Sequence, residues 1–131
     1  MSQENLIIDT DFLFALILPA EPNHLKAVKM WQNSRFDTVF TLNLVKYEAL
    51  TVLSRKLSQK EAIQHFDLID WTALNYIFID QDLENKSIEI YNQQNRKNIS
   101  TVDCANLVLA KKLNCKIASF DQFYPKEYLL I

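Results

Sequence analysis

The sequence predicts an α/β fold, a parallel-type sheet sandwiched by helices, built as a single domain over residues 1–131. Strand-like and helix-like patterns alternate along the chain, which is typical of parallel sheets. The first strand pattern is wholly apolar, as expected for a strand that is buried on both faces. No short turn signal joins two strand patterns, so β-hairpins are not expected.

A buried strand at Leu6–Ile8 opens the predicted order, and the polar run Asp9–Asp11 follows it directly. Polar residues at the end of such a strand lie where α/β folds place their sites. They also lie where a helix needs a cap, and a helix is predicted over Phe12–Leu18. Two roles for Asp9 therefore remain open, a helix cap and a site residue.

The middle of the chain continues the alternation. The predicted elements are a helix opened by Pro22-Asn23, a strand Thr38–Thr41, a long helix from Leu44 to Leu57, a helix capped by Ser58, a strand Tyr76–Ile79, a helix capped by Asp82 and reaching about Gln94, and, after one more helix, a strand Lys116–Ser119. Glu48 lies early in the long helix, where a solvated side chain is the ordinary interpretation. His24 is expected to pack or to cap.

The helix before the last strand has the strongest signal. Ser100 is a good N-cap, the run Val102–Leu113 is apolar nearly all round, and Asn114 can adopt the left-handed conformation that ends a helix. Asp103 then lies in the first turn of this helix, and Asp121 lies just past the strand that follows it. The pattern alone leaves open whether these two acids meet.

Glycine is absent, although average usage gives roughly nine residues in a chain of this length. Phosphate-cradling loops need glycine because the backbone must approach the phosphate closely. Dinucleotide-binding and P-loop sites are therefore excluded. We expect Asn95, Asn98 and Asn114 to take the positive-φ positions that glycine usually occupies.

The composition is that of a globular protein, with 49% hydrophobic and 23% charged residues. No apolar run approaches a membrane span and the start lacks signal-peptide features, so we expect a cytoplasmic location and no membrane partner. Cys104 and Cys115 lack metal-site spacing and are expected to be small buried thiols. Phe12, Phe14 and Trp31 are compatible with partner contacts, although burial in the core is the simpler account.

Four stretches in this order resemble the acidic motifs of the PIN domain family, especially of VapC-like ribonuclease toxins. They are Ile7-Ile8-Asp9-Thr10-Asp11-Phe12-Leu13, Val45-Lys46-Tyr47-Glu48-Ala49-Leu50, Ser100-Thr101-Val102-Asp103-Cys104-Ala105-Asn106 and Ala118-Ser119-Phe120-Asp121-Gln122-Phe123. The pattern His24-Leu25-Lys26-Ala27 fits as well, and the resemblance covers nearly the whole chain. It implies a three-layer α/β/α sandwich in which the four acids meet at one edge of a central parallel sheet.

The resemblance implies that Asp9, Glu48, Asp103 and Asp121 bind Mg²⁺ or Mn²⁺ and catalyse the hydrolysis of RNA. Four neighbouring side chains are expected to support these ligands: Thr10, Asp11, Asn106 and Ser119. The resemblance also implies a small antitoxin partner, whose C-terminal segment fills the acidic groove, and a homodimer.

Elementary electrostatics gives the acids a reason to cluster around cations. Carboxylates within a few ångströms of one another repel with an energy on the order of several kcal/mol per pair, unless cations or protons neutralise them. Mg²⁺ and Mn²⁺ prefer oxygen ligands and can orient and activate a phosphodiester. Because the net charge is -2, attraction to RNA would depend on such ions or on a local basic patch. Four basic residues are candidates for steering RNA, although solvated surface charge is the commoner role: Lys46, Arg55, Arg96 and Lys97.

Two other functions remain open. A haloacid-dehalogenase-like phosphatase would use Asp9 as nucleophile and Asp11 as acid or base. The chain is short for that fold, and Glu48 would have no role in it. A non-catalytic PIN-like module would keep the acids and only bind a partner.

Overall fold

The computed structural model describes residues 4–33, 35–71 and 74–130. Its strands and helices, in chain order, are β1 (Glu4–Ile8), α1 (Thr10–Ile17), α2 (His24–Asn33), β2 (Phe36–Leu42), α3 (Asn43–Lys56), α4 (Gln59–Asp67), β3 (Asn75–Ile77), α5 (Gln81–Gln93), α6 (Thr101–Leu113) and β4 (Lys116–Ala118), with a short 3₁₀ helix at Lys126–Tyr128. The predicted alternation of strands and helices is confirmed.

The four strands form one parallel sheet in the order β3-β2-β1-β4. Leu6–Ile8 of β1 are consecutive and buried, so helices cover both faces of the sheet. α5 packs against α6, whereas α1 contacts α2 and α3, and α3 contacts α4. His24 Nδ1 lies 2.7 Å from the Ala15 carbonyl oxygen, in agreement with its predicted packing role. The predicted three-layer sandwich around a central parallel sheet is confirmed.

The strand order reverses at β1, and this reversal positions the site. From β1 the chain adds β2 and then β3 on one side, and later returns to add β4 on the other side. In open α/β sheets a crevice forms at such a point, beyond the carboxyl ends of the strands. The Asp9 N–H donates to the Ala118 carbonyl at 3.1 Å and ties the two strand ends together. Side chains that follow β1 and β4 therefore start from one place.

The cap of α5 differs from the prediction. Asp80, and not Asp82, is the N-cap, because Oδ1 of Asp80 accepts from the Leu83 N–H at 2.8 Å. Asp82 lies within the first turn and forms an exposed i,i+4 ion pair. Either acid fits the local pattern, so the choice is made by where the preceding strand ends. That strand covers Asn75–Ile77 and is displaced toward the N-terminus relative to the predicted Tyr76–Ile79.

Two asparagines among the described residues have positive φ, Asn98 at 64° and Asn114 at 50°. Asn114 ends α6 as predicted. The prediction for Asn95 is wrong. In that stretch the Gln94 side chain accepts from the Arg96 N–H at 2.7 Å, so a side-chain acceptor makes the turn without a left-handed residue.

Most of the side chains for which the sequence left two roles open are buried in the core. Phe12 and Phe14 are buried, whereas Trp31 keeps 38% of its surface exposed. Cys104 and Cys115 are free buried thiols, as expected, and burial raises the pKa of Cys115 to about 11. Within the described ranges, we find no helix with both the length and the apolar character needed to cross a bilayer.

Candidate active site

Asp9 is the centre of the site and is only 3% exposed. It directly follows β1 and caps α1, so its predicted role as a cap is correct. Its Oδ1 accepts from the Thr10 N–H at 2.7 Å and from Asn106 Nδ2 at 3.1 Å. Its Oδ2 accepts from Ser119 Oγ at 3.2 Å and from the Tyr124 hydroxyl at 2.8 Å. Four donors, three of them from distant parts of the chain, thus fix this carboxylate.

The Tyr124 hydroxyl links Asp9 to Asp103. It lies 2.8 Å from Asp9 Oδ2 and 3.3 Å from Asp103 Oδ1. Asp103 is held from the other side by a capping box, since its Oδ2 accepts from the Ser100 N–H and its own N–H donates to Ser100 Oγ. A phenol has one proton, so Tyr124 can donate to one of the two carboxylates at a time. One hydroxyl therefore joins acids that are 94 positions apart in the numbering.

Glu48 and Asp121 add negative charge to the same region. The pKa of Asp103 is raised to about 6, mainly by burial and in smaller part by the charges of Asp121 and Glu48. Burial also raises the pKa of Asp9 well above its usual range, and the charges of Asp11 and Asp103 add to that rise. The acids named from the sequence are thus coupled electrostatically across the end of the sheet.

Asp11 holds the loop that follows β4. Its Oδ2 accepts from the Phe120 N–H at 2.9 Å and lies 3.1 Å from Ser119 Oγ, whose single proton can be donated to Asp11 or to Asp9 but not to both at once. Ser119 Oγ in turn accepts from the Asp121 N–H at 3.0 Å. Oδ1 of Asp121 accepts from the Phe123 N–H at 2.9 Å. Asp11 and Ser119 therefore position the loop from which Asp121 projects.

Three buried oxygen atoms at this site have no hydrogen-bond partner in the described structure: Thr10 Oγ1, Asp11 Oδ1 and Asn106 Oδ1. Buried polar atoms normally have a hydrogen-bond partner, so these three oxygens are candidates for binding a water molecule or a cation. No three or more His, Cys, Asp or Glu side chains of residues 4–33, 35–71 and 74–130 are arranged to hold a metal ion. The donor chemistry fits a hard divalent cation such as Mg²⁺ or Mn²⁺, but the ligand set is not preassembled.

A cleft of about 320 Å³ opens beside the acids. Its lining includes Thr10, Asp11, Glu48 and Phe120, together with Lys56 and Glu21, which form an ion pair. A larger cavity of about 440 Å³ lies between α5 and α6, but none of the predicted acids lines it. The acidic cleft is therefore the candidate groove for a substrate.

Sequence reasoning missed Tyr124, which is 2% exposed and contacts both central acids. The sequence shows only a tyrosine three residues after Asp121, in a stretch with no helical or strand periodicity. Nothing in that local pattern indicates that its hydroxyl points back toward β1.

The chain is similar to known proteins in sequence and in fold. The sequence model of the PIN domain matches residues 6–125. No curated protein matches the chain. Among solved structures, Mycobacterium tuberculosis VapC20, described as a sarcin-ricin loop cleaving toxin, superposes with a TM-score of 0.79 at 23% identity, covering 90% of this chain and 91% of that one.

Two complexes are similar as well. FitAcB from Neisseria gonorrhoeae has a TM-score of 0.68 at 16% identity over 88% of this chain and 87% of that one. VapBC2 from Rickettsia felis, bound to a DNA fragment from its promoter, has a TM-score of 0.65 at 13% identity over 97% of both chains. At these identities the likeness shows the fold, while the family match covers most of the sequence. The expected resemblance is confirmed: this chain belongs to the PIN domain family.

Proposed function

We propose that this protein is an endoribonuclease that depends on Mg²⁺ or Mn²⁺, and that it is the toxin of a type II toxin–antitoxin pair. The observation that carries the proposal is the pair of buried carboxylates, Asp9 and Asp103, that share the Tyr124 hydroxyl while Glu48 and Asp121 add charge beside them. Burying several like charges is costly, so such a cluster suggests a functional cation site.

Asp9, Glu48 and Asp103 would hold the metal, directly or through water, and Asp121 would bind a second ion or orient water. A bound Mg²⁺ or Mn²⁺ supplies Lewis acidity for phosphodiester hydrolysis and neutralises the clustered carboxylates. The chain's own contribution is orientation. Four hydrogen bonds fix Asp9, and the capping box fixes Asp103 at the start of α6.

Thr10, Asn106 and Ser119 support Asp9 in this proposal, through the Thr10 N–H and the side chains of the other two. Asp11 keeps the loop after β4 in place, so that Asp121 stays beside Asp103. The cleft lined by Glu48 and Phe120 would receive the RNA strand.

The substrate and the partner rest on the relatives. VapC20 is described as a toxin that cleaves the sarcin-ricin loop, which supports RNA as the substrate. A toxin–antitoxin complex from Klebsiella pneumoniae and the VapBC2 complex share the fold, which supports a small antitoxin partner. The homodimer and the cytoplasmic location stay predictions.

The phosphatase fits less well, whereas the non-catalytic module stays an alternative. A phosphatase that used Asp9 as nucleophile would leave Glu48 without a role, although the charge of Glu48 acts on Asp103 in this site. The family match is also to the PIN domain. A non-catalytic module would keep the same geometry, and only an activity measurement separates it from a nuclease.

The test is cleavage of an RNA oligonucleotide by the purified protein with Mg²⁺, with Mn²⁺ or with a chelator. We expect cleavage with either ion, none with the chelator, and a loss of at least about 100-fold in Asp103→Asn. An exposed acid of α5 gives the matched control, Glu84→Gln, which should cleave like the unaltered protein. Cleavage that persists in chelator or in Asp103→Asn would overturn the metal site. Absence of cleavage under every condition would favour the partner-binding module.

A further inference from the structure

We propose that the exposed rings of Phe78 and Tyr47, at the open end of a row of rings whose inner members contact the Lys46 ammonium group, form a stacking platform for an unpaired base of the RNA. This inference rests on the proposed nuclease function and names the form of its substrate, a single strand. The platform is the exposed end of a row of four aromatic rings, called here the aromatic column: Phe66, Trp71, Tyr76 and Phe78.

The geometry of the aromatic column favours a flat ligand. The ring centroids of Phe66 and Trp71 are 5.1 Å apart, and those of Trp71 and Tyr76 are 6.1 Å apart at 27°. Tyr76 and Phe78 follow at 5.8 Å and 22°. Phe78 is the last described ring of the column and is 73% exposed. Phe66 and Trp71 are tilted by 40°, whereas the last three rings are stacked within 27° of one another in successive pairs. A nucleobase is planar, so it can add one more layer at the stacked end.

The charge beside the column suits a nucleic acid. Lys46 Nζ lies between 5.3 and 5.7 Å from the centroids of the three inner rings. Tyr47, the next residue of α3, is 70% exposed. Burial raises the pKa of Tyr76 and the neighbouring Tyr47 adds to that rise, which agrees with Tyr47 lying beside the column. A cation and two exposed rings together match a phosphate and its base.

The sheet register relates the platform to the acids. Ile7 of β1 pairs with Phe40 of β2, and Phe40 pairs with Asn75 of β3. Asp9 lies two residues beyond Ile7, and Phe78 lies three residues beyond Asn75, so both leave the sheet at the same edge. The two strands are separated by two strand spacings, about 10 Å. A short single strand can therefore span the acids and the platform.

One hydrogen bond holds the platform in place, and α3 connects it to a candidate ligand. The Ile79 N–H donates to Asn43 Oδ1 at 3.1 Å, which ties the residue after Phe78 to the first residue of α3. On α3 itself, Tyr47 directly precedes the predicted ligand Glu48. One helix thus carries a candidate ligand and part of the platform, and its start is bonded to the other part.

The observations favour an RNA base over a protein segment as the occupant. The exposed surface is aromatic and lies beside a cation, whereas an apolar helix or strand from a partner needs no cation. Stacking accepts any base, so the platform predicts preference for single strands over duplexes and little dependence on sequence.

The test measures binding of a labelled single-stranded RNA oligonucleotide by fluorescence anisotropy, in the Asp103→Asn background so that the RNA stays intact. Phe78→Ala should raise Kd about tenfold, since losing one stacked ring typically weakens binding by that order. Phe78→Leu should weaken binding similarly, because it keeps apolar bulk without a ring, whereas Phe78→Trp should preserve affinity. Tyr91→Ala, which removes an aromatic side chain of α5 that is 42% exposed, is the matched control and should bind normally.

The outcomes separate this inference from the proposed function. Equal affinity in Phe78→Ala and its background overturns the platform, even if the unaltered protein cleaves RNA. Dissociation of an oligomer in Phe78→Ala, seen by light scattering with RNA affinity unchanged, identifies a protein interface and also overturns it. If the protein binds single strands through Phe78 but cleaves nothing with Mg²⁺ or Mn²⁺, the platform stands and the nuclease function fails.

Discussion

The hydroxyl of Tyr124 lies 2.8 Å from Oδ2 of Asp9, and neither side chain is more than 3% exposed. Burial raises the pKa of this phenol, and the negative charges of Asp9 and Asp103 raise it further. The hydroxyl therefore keeps its proton and remains a donor at any pH at which the protein would be assayed. It partly compensates the cost of burying two acids together.

Tyr124→Phe is expected to destabilise the metal-free protein by about 1–3 kcal/mol, because a buried acceptor on Asp9 loses its donor. Thermal or denaturant unfolding in chelator measures the change. Adding Mn²⁺ should recover part of the loss, since a cation can take over the neutralising role. Tyr91→Phe, on the exposed face of α5, is the control. A melting temperature equal to that of the unaltered protein would contradict the role of this hydrogen bond.

Asp103→Asn is expected to be more stable than the unaltered protein at neutral pH in chelator. The pKa of Asp103 is about 6 in the folded chain and near its ordinary value in the unfolded chain. The folded state therefore binds the extra proton, and the stability this provides is present below about pH 4 and lost as the pH rises through about 6.

Denaturant unfolding at several pH values checks this expectation. The advantage of Asp103→Asn should be largest above about pH 7 and should shrink toward about pH 4, where the native acid is protonated in both states. Glu84→Gln should show no such trend. An Asp103→Asn protein that is less stable at neutral pH would mean that the carboxylate is stabilising where it lies.

Metal affinity is expected to fall at acidic pH. A carboxylate must lose its proton to bind a cation, so below the pKa of Asp103, about 6, Mn²⁺ competes with protons. Isothermal titration calorimetry should show Kd rising by up to about tenfold per pH unit below that value, with protons released on binding. In Asp103→Asn we expect weaker binding with a flatter pH dependence. A Kd that does not change between about pH 5 and pH 8 would exclude this acid as a ligand.

Local signals in the sequence were sufficient for the end of β1 and for the start of α6, whereas the site roles of Asp9 and Asp103 came from the family resemblance. The apolar strand followed by Asp9, and Ser100 as the N-cap of the helix that carries Asp103, depend on neighbouring residues only, and both predictions of local structure are confirmed. Tyr124 could not be found in this way, because its bond to Asp9 spans 115 residues and depends on where the loop after β4 returns. The prediction of Asp82 as a cap failed for a smaller reason, since Asp80, two positions earlier, makes an equally good cap.

Asn114 takes a positive-φ position that glycine usually occupies, and this predicts how substitutions there change stability. It ends α6 with φ at 50°, a left-handed backbone conformation that asparagine tolerates better than most other residues with a side chain. Asn114→Ala should destabilise the protein by about 1 kcal/mol, whereas Asn114→Gly should be close to neutral. Asn85→Ala, at an exposed helical position of α5, should be neutral or slightly stabilising. Denaturant midpoints of the three variants measure the differences, and equal stability of the Ala and Gly variants at position 114 would argue against the left-handed cap.

The bridge between Ile117 and Leu129 has a consequence for self-association. Leu129 lies parallel to β4, and the Leu130 N–H donates to the Ile117 carbonyl at 3.0 Å. Leu129 and Leu130 thus cover the edge of the sheet formed by β4. The opposite edge is β3, a strand of only three residues. Short or shielded borders give other polypeptides little backbone on which to pair, which guards against fibril-like aggregation at high concentration.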